Sequence, residues 1–245
     1  MKSFLLLVLS LTTGCEAKDK VKGCTGAWVE FTCNYPKSNS QSVGIVHNTQ
    51  ITIRSTRKNE WEHNNRFSLY HDTQNRNLRV FIKHLVQDDS GDYQCRPHQS
   101  RPHTNNLQLD PEKSCLTTVI QTAYTTAETT ITCHYNLGNT YKSSVRFFCK
   151  MNISTSEEIL SADSPPQTNG RFTLTNTDSG FTVSISNVSS EDEGIYWCGV
   201  KPDKGRYRTG LTEIQLEVQK IKYFKKIPNC WTEPHVLVWL PQWYL

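Results

Sequence analysis

Nowhere in these 245 residues is there an uninterrupted apolar stretch of the ~20 residues that a membrane-spanning helix needs. The apolar runs Phe4-Leu5-Leu6-Leu7-Val8-Leu9 and Val236-Leu237-Val238-Trp239-Leu240 fall far short of it. Also missing are a glycine-rich phosphate loop, a nucleophile elbow and a metalloprotease helix, so the chain carries none of the signatures of a nucleotide-dependent, hydrolytic or zinc-peptidase enzyme. His98 and His103 are separated by Gln99-Ser100-Arg101-Pro102 with no cysteine or carboxylate at ligand spacing, which argues against a metal centre. No cofactor is expected. Charge of one sign is lacking too: the net charge is +4, and Lys220, Lys222, Lys225 and Lys226 against Glu233 supply most of it from the C-terminal end. A nucleic-acid binder would carry a much stronger basic surface.

What is present begins with a targeting segment. Met1-Lys2-Ser3, the apolar core Phe4–Leu9 and the small-residue pattern Cys15-Glu16-Ala17 read as a secretory leader cleaved after Ala17, at residues 1–17. Its removal takes one of the nine cysteines and sends the rest to an oxidising compartment, where disulfides persist. The sequons Asn152-Ile153-Ser154 and Asn187-Val188-Ser189 become credible glycosylation sites on the same route.

An internal repeat then organises the chain. Trp28-Val29-Glu30-Phe31-Thr32-Cys33, Arg66-Phe67-Ser68-Leu69, Leu78-Arg79-Val80-Phe81-Ile82 and Asp88-Asp89-Ser90-Gly91-Asp92-Tyr93-Gln94-Cys95 recur in order. Their counterparts are Thr129-Thr130-Ile131-Thr132-Cys133, Arg171-Phe172-Thr173-Leu174, Phe181-Thr182-Val183-Ser184-Ile185 and Glu191-Asp192-Glu193-Gly194-Ile195-Tyr196-Trp197-Cys198. The two-residue period of a strand sends Val29, Phe31 and Cys33 to one face and Trp28, Glu30 and Thr32 to the other. Paired cysteines on facing sheets close loops of about 60 residues, which predicts Cys33–Cys95 and Cys133–Cys198. Tyr93 and Tyr196, two residues before the second cysteines, stand at the tyrosine-corner position. Asp89 and Asp192 have partners in Arg66 and Arg171, as ion pairs closing one end of each sandwich.

The Asp-x-Gly-x-Tyr-x-Cys ends and Arg-Phe-[Ser/Thr]-Leu strands resemble V-type immunoglobulin domains. Val145-Arg146-Phe147-Phe148-Cys149-Lys150 and Ile195-Tyr196-Trp197-Cys198-Gly199 resemble, more narrowly, the polymeric immunoglobulin receptor and its relatives among leukocyte surface receptors, over roughly residues 20 to 218. Two departures stand out. Ser42-Val43-Gly44-Ile45-Val46-His47 lacks the aromatic and cysteine of the family's strand C, and Cys149 lacks its nearby partner in Met151–Leu160, with Ser154 or Ser156 in that place.

The expected architecture is all-β: two tandem V-type sandwiches at residues 18–110 and 114–218, then a basic and aromatic tail, 219–245. The resemblance implies an extracellular immune receptor ectodomain, secreted as given, with a membrane-bound isoform alongside it. Its implied ligands are an immunoglobulin, a leukocyte or microbial surface protein, or an anionic lipid, with homophilic adhesion as a further alternative. Loops at sandwich ends are free to vary and carry recognition. The loop Lys201-Pro202-Asp203-Lys204-Gly205-Arg206-Tyr207-Arg208 gathers four cations around a tyrosine, so Lys204, Arg206, Tyr207 and Arg208 are the expected ligand contacts. The stretch Arg96–His103 is basic at the equivalent position of the first repeat. Cys24, Cys115, Cys149 and Cys230 remain after the two sandwich disulfides, and four cysteines allow three complete pairings. Because Phe148 takes the core position, Cys149 faces away from the inter-sheet core and is expected either unpaired or joined to another chain.

Overall fold

Short β-branched and aromatic runs broken by polar turns leave this chain nothing to build but strands, and the alternation within them decides which side of each strand is buried. The structure, a computed structural model, describes residues 19–35, 42–97, 106–113, 115–134, 144–152, 155–162, 166–202 and 207–221. The expected leader, Cys230 and nearly all of the tail lie outside those residues.

The first repeat supplies β1 (Asp19–Cys24), β2 (Val29–Asn34), β3 (Val43–His47), β4 (Gln50–Ser55), β5 (Trp61–Asn64), β6 (Phe67–Asp72), β7 (Asn77–Ile82), β8 (Gly91–Pro97) and β9 (Asn106–Glu112). One sheet has the order β1-β9-β8-β3-β4, with β1 parallel to β9, and it faces β2-β7-β6-β5. Val29, Phe31, Leu78, Val80 and Ile82 are buried between the sheets against Ile45, Tyr93 and Leu109, as the alternation requires.

The second repeat supplies β10 (Thr117–Tyr124), β11 (Thr129–His134), β12 (Val145–Met151), β13 (Ser156–Ala162), β14 (Gln167–Asn169), β15 (Phe172–Thr177), β16 (Gly180–Ile185), β17 (Gly194–Lys201) and β18 (Tyr207–Gln219). Its sheets are β13-β12-β17-β18, with β10 parallel to β18, and β11-β16-β15-β14. Ile131, Phe148, Phe181, Val183, Tyr196 and Ile214 fill the space between them. Both sheet orders are those of a V-type immunoglobulin sandwich.

The same closure is built at one end of each sandwich. The Arg66 guanidinium donates to both oxygens of Asp89 at 2.7 and 2.8 Å, and Arg171 does so to Asp192 at 2.8 and 2.7 Å. Each aspartate sits in a one-turn 3-10 helix and accepts a backbone N–H three residues upstream, from Val86 and Ser189. The tyrosine hydroxyls of Tyr93 and Tyr196 donate to the carbonyls of Asp89 and Asp192 at 2.9 and 2.6 Å. The disulfides Cys33–Cys95 and Cys133–Cys198 link the two sheets of each sandwich. A third disulfide, Cys24–Cys115, with Cα atoms 5.5 Å apart, ties the end of β1 to the connecting segment.

The two sandwiches are continuous. Tyr207, Arg208 and Thr209 at the start of β18 pair antiparallel with Phe31, Glu30 and Val29 of β2, merging one sheet from each repeat into a nine-stranded sheet. The outward face of β2 and β7 is therefore covered. Trp28 and Phe81 from the first sandwich and Phe147, Trp197, Val200 and Leu211 from the second form a third core at the junction. The Trp28 ring lies 5.2 Å from Phe81, 5.7 Å from Phe147 and 6.3 Å from Trp197, within the range of favourable aromatic pairs. Gly210 makes this approach feasible, since a Cβ there would sit 2.6 Å from both indoles.

Candidate functional site

Tyr207 and Arg208 are not on a loop tip. They are the first residues of β18, and both are engaged inside the molecule. Tyr207 packs half-buried against the first sandwich's core. Arg208, with 13% of its side chain exposed, bonds Glu30 at 2.7 Å and Glu158 at 3.2 Å. Its guanidinium also donates to Ser156 Oγ at 3.0 Å and lies 5.6 Å over the Trp28 ring. Burial opposes the charge on Arg208, but the carboxylate of Glu30 outweighs it and the pKa rises. The reason for this placement is that β18 needs a hydrogen-bonding partner at its exposed start and β2 offers one. Lys204 and Arg206 lie outside the described residues, as do His98 and His103.

A charged cleft of about 400 Å³ opens beside Arg208, lined by Arg79, Ser156, Glu158, Lys201 and Arg208. Its cations are already satisfied. Arg79 holds Glu30 at 2.6 Å, and Lys201 holds Glu158 at 2.8 Å and Ser161 at 3.0 Å. An incoming anion would have to displace Glu30 or Glu158, so the cleft works as an internal ion network of the junction.

Cys149 faces away from its sandwich's core, as alternation requires, but it does not reach solvent. It lies fully buried in the junction core, unpaired, with Ser156 hydrogen-bonded to it. Burial pushes its thiol up to about 12. Of the two outcomes expected for Cys149 the structure has it unpaired, and a disulfide from this position to another chain would require the sandwiches to separate. Of the two serines expected in place of a second cysteine, Ser156 is the one hydrogen-bonded to Cys149, and Ser154 lies outside the described residues.

What remains open is the outer face of the first sandwich's β1-β9-β8-β3-β4 sheet. Gly44 of β3 pairs with Arg54 of β4 on one side and with Arg96 of β8 on the other. The two arginines thus share one face, two strand spacings or ~10 Å apart, across a position with no side chain. A Cβ at Gly44 would come within 3.3 Å of Arg54 Cγ, so the arginine's stem lies over the glycine. Among the described residues neither arginine has an ion-pair partner. On the same face Ile51, 44% exposed, pairs with Val46, which pairs in turn with Gln94. The face carries these two arginines beside partly exposed apolar surface, with Val46 itself buried within it. Arg96 was visible in the sequence as part of a basic stretch. Arg54 was not, because only the register of β3 with both neighbours brings it to Arg96.

The equivalent face of the second sandwich, with Phe147, Cys149, Trp197 and Leu211, is the one that grips Trp28 and Phe81. The molecule therefore already uses this kind of sheet face for recognition, inside itself. Among the described residues no group of three or more histidine, cysteine or carboxylate side chains is placed to hold a metal ion, and no helix is long and apolar enough to cross a membrane.

Comparison with known proteins agrees with the architecture. The immunoglobulin V-set domain model matches residues 16–110 and 121–219. The polymeric immunoglobulin receptor of Mus musculus is 24% identical over 242 residues, covering 90% of this chain and 30% of the receptor. That of Oryctolagus cuniculus is 29% identical over 158 residues, covering 63% of this chain and 20% of the receptor. That of Homo sapiens is 22% identical over 214 residues, with 82% and 27% covered. The chain thus spans less than a third of the length of these relatives. Both repeats carry the fold, disulfides and sheet order of one family, in keeping with an extracellular or cell-surface protein, and the chain belongs to the immunoglobulin V-set domain family.

Proposed function

We propose that this chain is the ligand-binding part of an extracellular immune receptor, and that it recognises a protein with an acidic surface. The name of its relatives makes an immunoglobulin the first ligand to test. The observation that supports this reading is the pair Arg54 and Arg96 on the outer face of the first sandwich's β1-β9-β8-β3-β4 sheet, each without an ion-pair carboxylate among the described residues. Arginine grips a carboxylate with two parallel hydrogen bonds, and Ile51 offers apolar area beside the pair. Lys204 and Arg206 are assigned as further ligand cations by their charge and place in the sequence, whereas Tyr207 and Arg208 hold the junction together.

Binding of the secreted chain to polymeric immunoglobulin is measured at low and high salt for the parent, Arg54→Glu, Arg96→Glu, Lys204→Glu and Arg206→Glu, after thermal melts show each variant folded. Charge reversal on the ligand face slows association and steepens with falling salt, and a desolvated arginine contributes ~2 kcal/mol or more, a loss of roughly thirtyfold. If all four variants match the parent at both salt levels, recognition lies elsewhere. Co-sedimentation with phosphatidylserine vesicles in physiological salt, without any protein ligand, replaces this reading by lipid binding. Self-association insensitive to these substitutions replaces it by homophilic adhesion.

A further inference from the structure

On the side of the junction away from the ion network, a groove of about 180 Å³ runs between the two sandwiches. Ala27 and Trp28 line it from the first sandwich and Met151, Ile195 and Trp197 from the second, and their apolar surface outweighs that of Lys83, His84 and Glu213, which also line it. Ile195 is 44% exposed there, although Tyr196 to Val200, which follow it in β17, are buried. Asn152 sits at the rim of the same groove. It is the first residue of the sequon Asn152-Ile153-Ser154, exposed where β12 leaves the sheet.

Its carboxamide is oriented. Asn152 Oδ1 accepts from the Thr155 backbone N–H at 2.7 Å and from Thr155 Oγ1 at 2.9 Å, which sets the direction of the amide nitrogen as well. We infer that Asn152 is N-glycosylated and that the first N-acetylglucosamine of that glycan lies in the groove, covering Ile195 and the edges of Trp197 and Met151. A pyranose ring has an apolar C–H face suited to an indole or aliphatic wall, and hydroxyls that stay in water. The groove is smaller than the pockets that hold drug-sized ligands, so one sugar ring suits it better than a larger molecule. The occupant also arrives tethered, which removes most of the entropy of association. The second sequon differs. Asn187 is exposed on the turn after β16, with its carbonyl accepting from Arg171, and a glycan there extends into solvent. The sugar at Asn152 therefore acts as a third element of the junction, beside the ion network and the aromatic core.

This inference rests on the extracellular reading, and the experiment separates the two. The full chain carrying Asn187→Gln is secreted from cells restricted to high-mannose glycans, and its peptides are mapped. One portion is trimmed by endoglycosidase H, which leaves a single N-acetylglucosamine. Another is stripped by peptide N-glycosidase, which leaves none. The trimmed protein is expected to melt with the untreated one and to bind the dye ANS no better. The stripped protein, and a Ser154→Ala variant that never acquires the glycan, should melt about 2–4 °C lower, a shift typical of 1 kcal/mol in a chain of this size, and should bind more dye. Secretion with Asn187 modified in the parent and Asn152 bare overturns the inference alone. So does a stripped protein indistinguishable from the trimmed one. Failure to secrete, with neither asparagine modified, defeats the extracellular reading instead.

Discussion

Arg208 of the second sandwich meets Glu30 of the first at 2.7 Å, with only 13% and 7% of the two side chains exposed. Glu30 is shared: its other oxygen takes two donors from Arg79, at 2.8 and 2.6 Å. One carboxylate thus neutralises two guanidiniums at the seam where β18 pairs with β2.

Removing the shared partner should hurt more than removing either cation. Glu30→Ala leaves the buried Arg208 with Glu158 alone and strips the partly exposed Arg79 of its ion pair, an effect of about 1–3 kcal/mol after solvent screening. Arg208→Met leaves Glu30 bonded to Arg79 and should be milder, and Glu30→Met with Arg208→Met should be more stable than Glu30→Ala alone. Denaturant melts of the three variants check the order. An additive outcome, with the double variant the worst, would sink the shared-carboxylate account.

Trp28 faces away from the core of its own sandwich, yet it is 1% exposed. Trp28→Ala is expected to destabilise by about 3–5 kcal/mol, the range for a large core aromatic, and comparably to Phe31→Ala on the inner face of the adjoining strand β2. A loss under ~1 kcal/mol, the surface range, would mean that the sandwiches are not packed together in solution.

Cys149 should be inert in the native protein. With its thiol pushed up to about 12 and its sulfur buried, it carries almost no thiolate at neutral pH, and thiolate is the reacting form. Maleimide should label it only in denaturant, and non-reducing peptide maps should show Cys24 joined to Cys115. Stoichiometric labelling of the folded protein within minutes at pH 7.5 would contradict the placement.

Acid should act through Asp192. The Arg171 hydrogen bond holds its carboxyl below the ordinary value, so the folded state binds a proton less readily than the unfolded chain. The resulting stability is fully present above the unfolded value near ~4 and disappears as pH falls through the lower folded value. Asp192→Asn should melt well below the parent at pH 7, and the gap should narrow as pH falls below about 4. A gap that stays constant as the solution is acidified below about pH 4 would show that the charge of Asp192 contributes nothing.

Much of this was legible in the amino-acid order because it is local or repeated. Strand alternation placed Val29, Phe31 and Phe148 inside, and the recurrence of Asp-x-Gly-x-Tyr-x-Cys and Arg-Phe-[Ser/Thr]-Leu identified the disulfides, the tyrosine corners and the Arg66–Asp89 and Arg171–Asp192 pairs. These depend on periods of two and on spacings within one sandwich, which a linear pattern records directly. What only the tertiary structure decided is how one sandwich sits on the other. Trp28, Glu30 and Cys149 read as outward-facing and are outward-facing, but that outer face is a core because a second sheet lies on it. Tyr207 and Arg208 read as loop cation and anchor, but β18 extends to pair with β2 and draws them inside. The pairing of Arg54 with Arg96 across Gly44 likewise depends on the register of three strands far apart in sequence. Alternation specifies which side a residue faces, whereas burial of that side depends on what packs against it, and no spacing along a single chain encodes that.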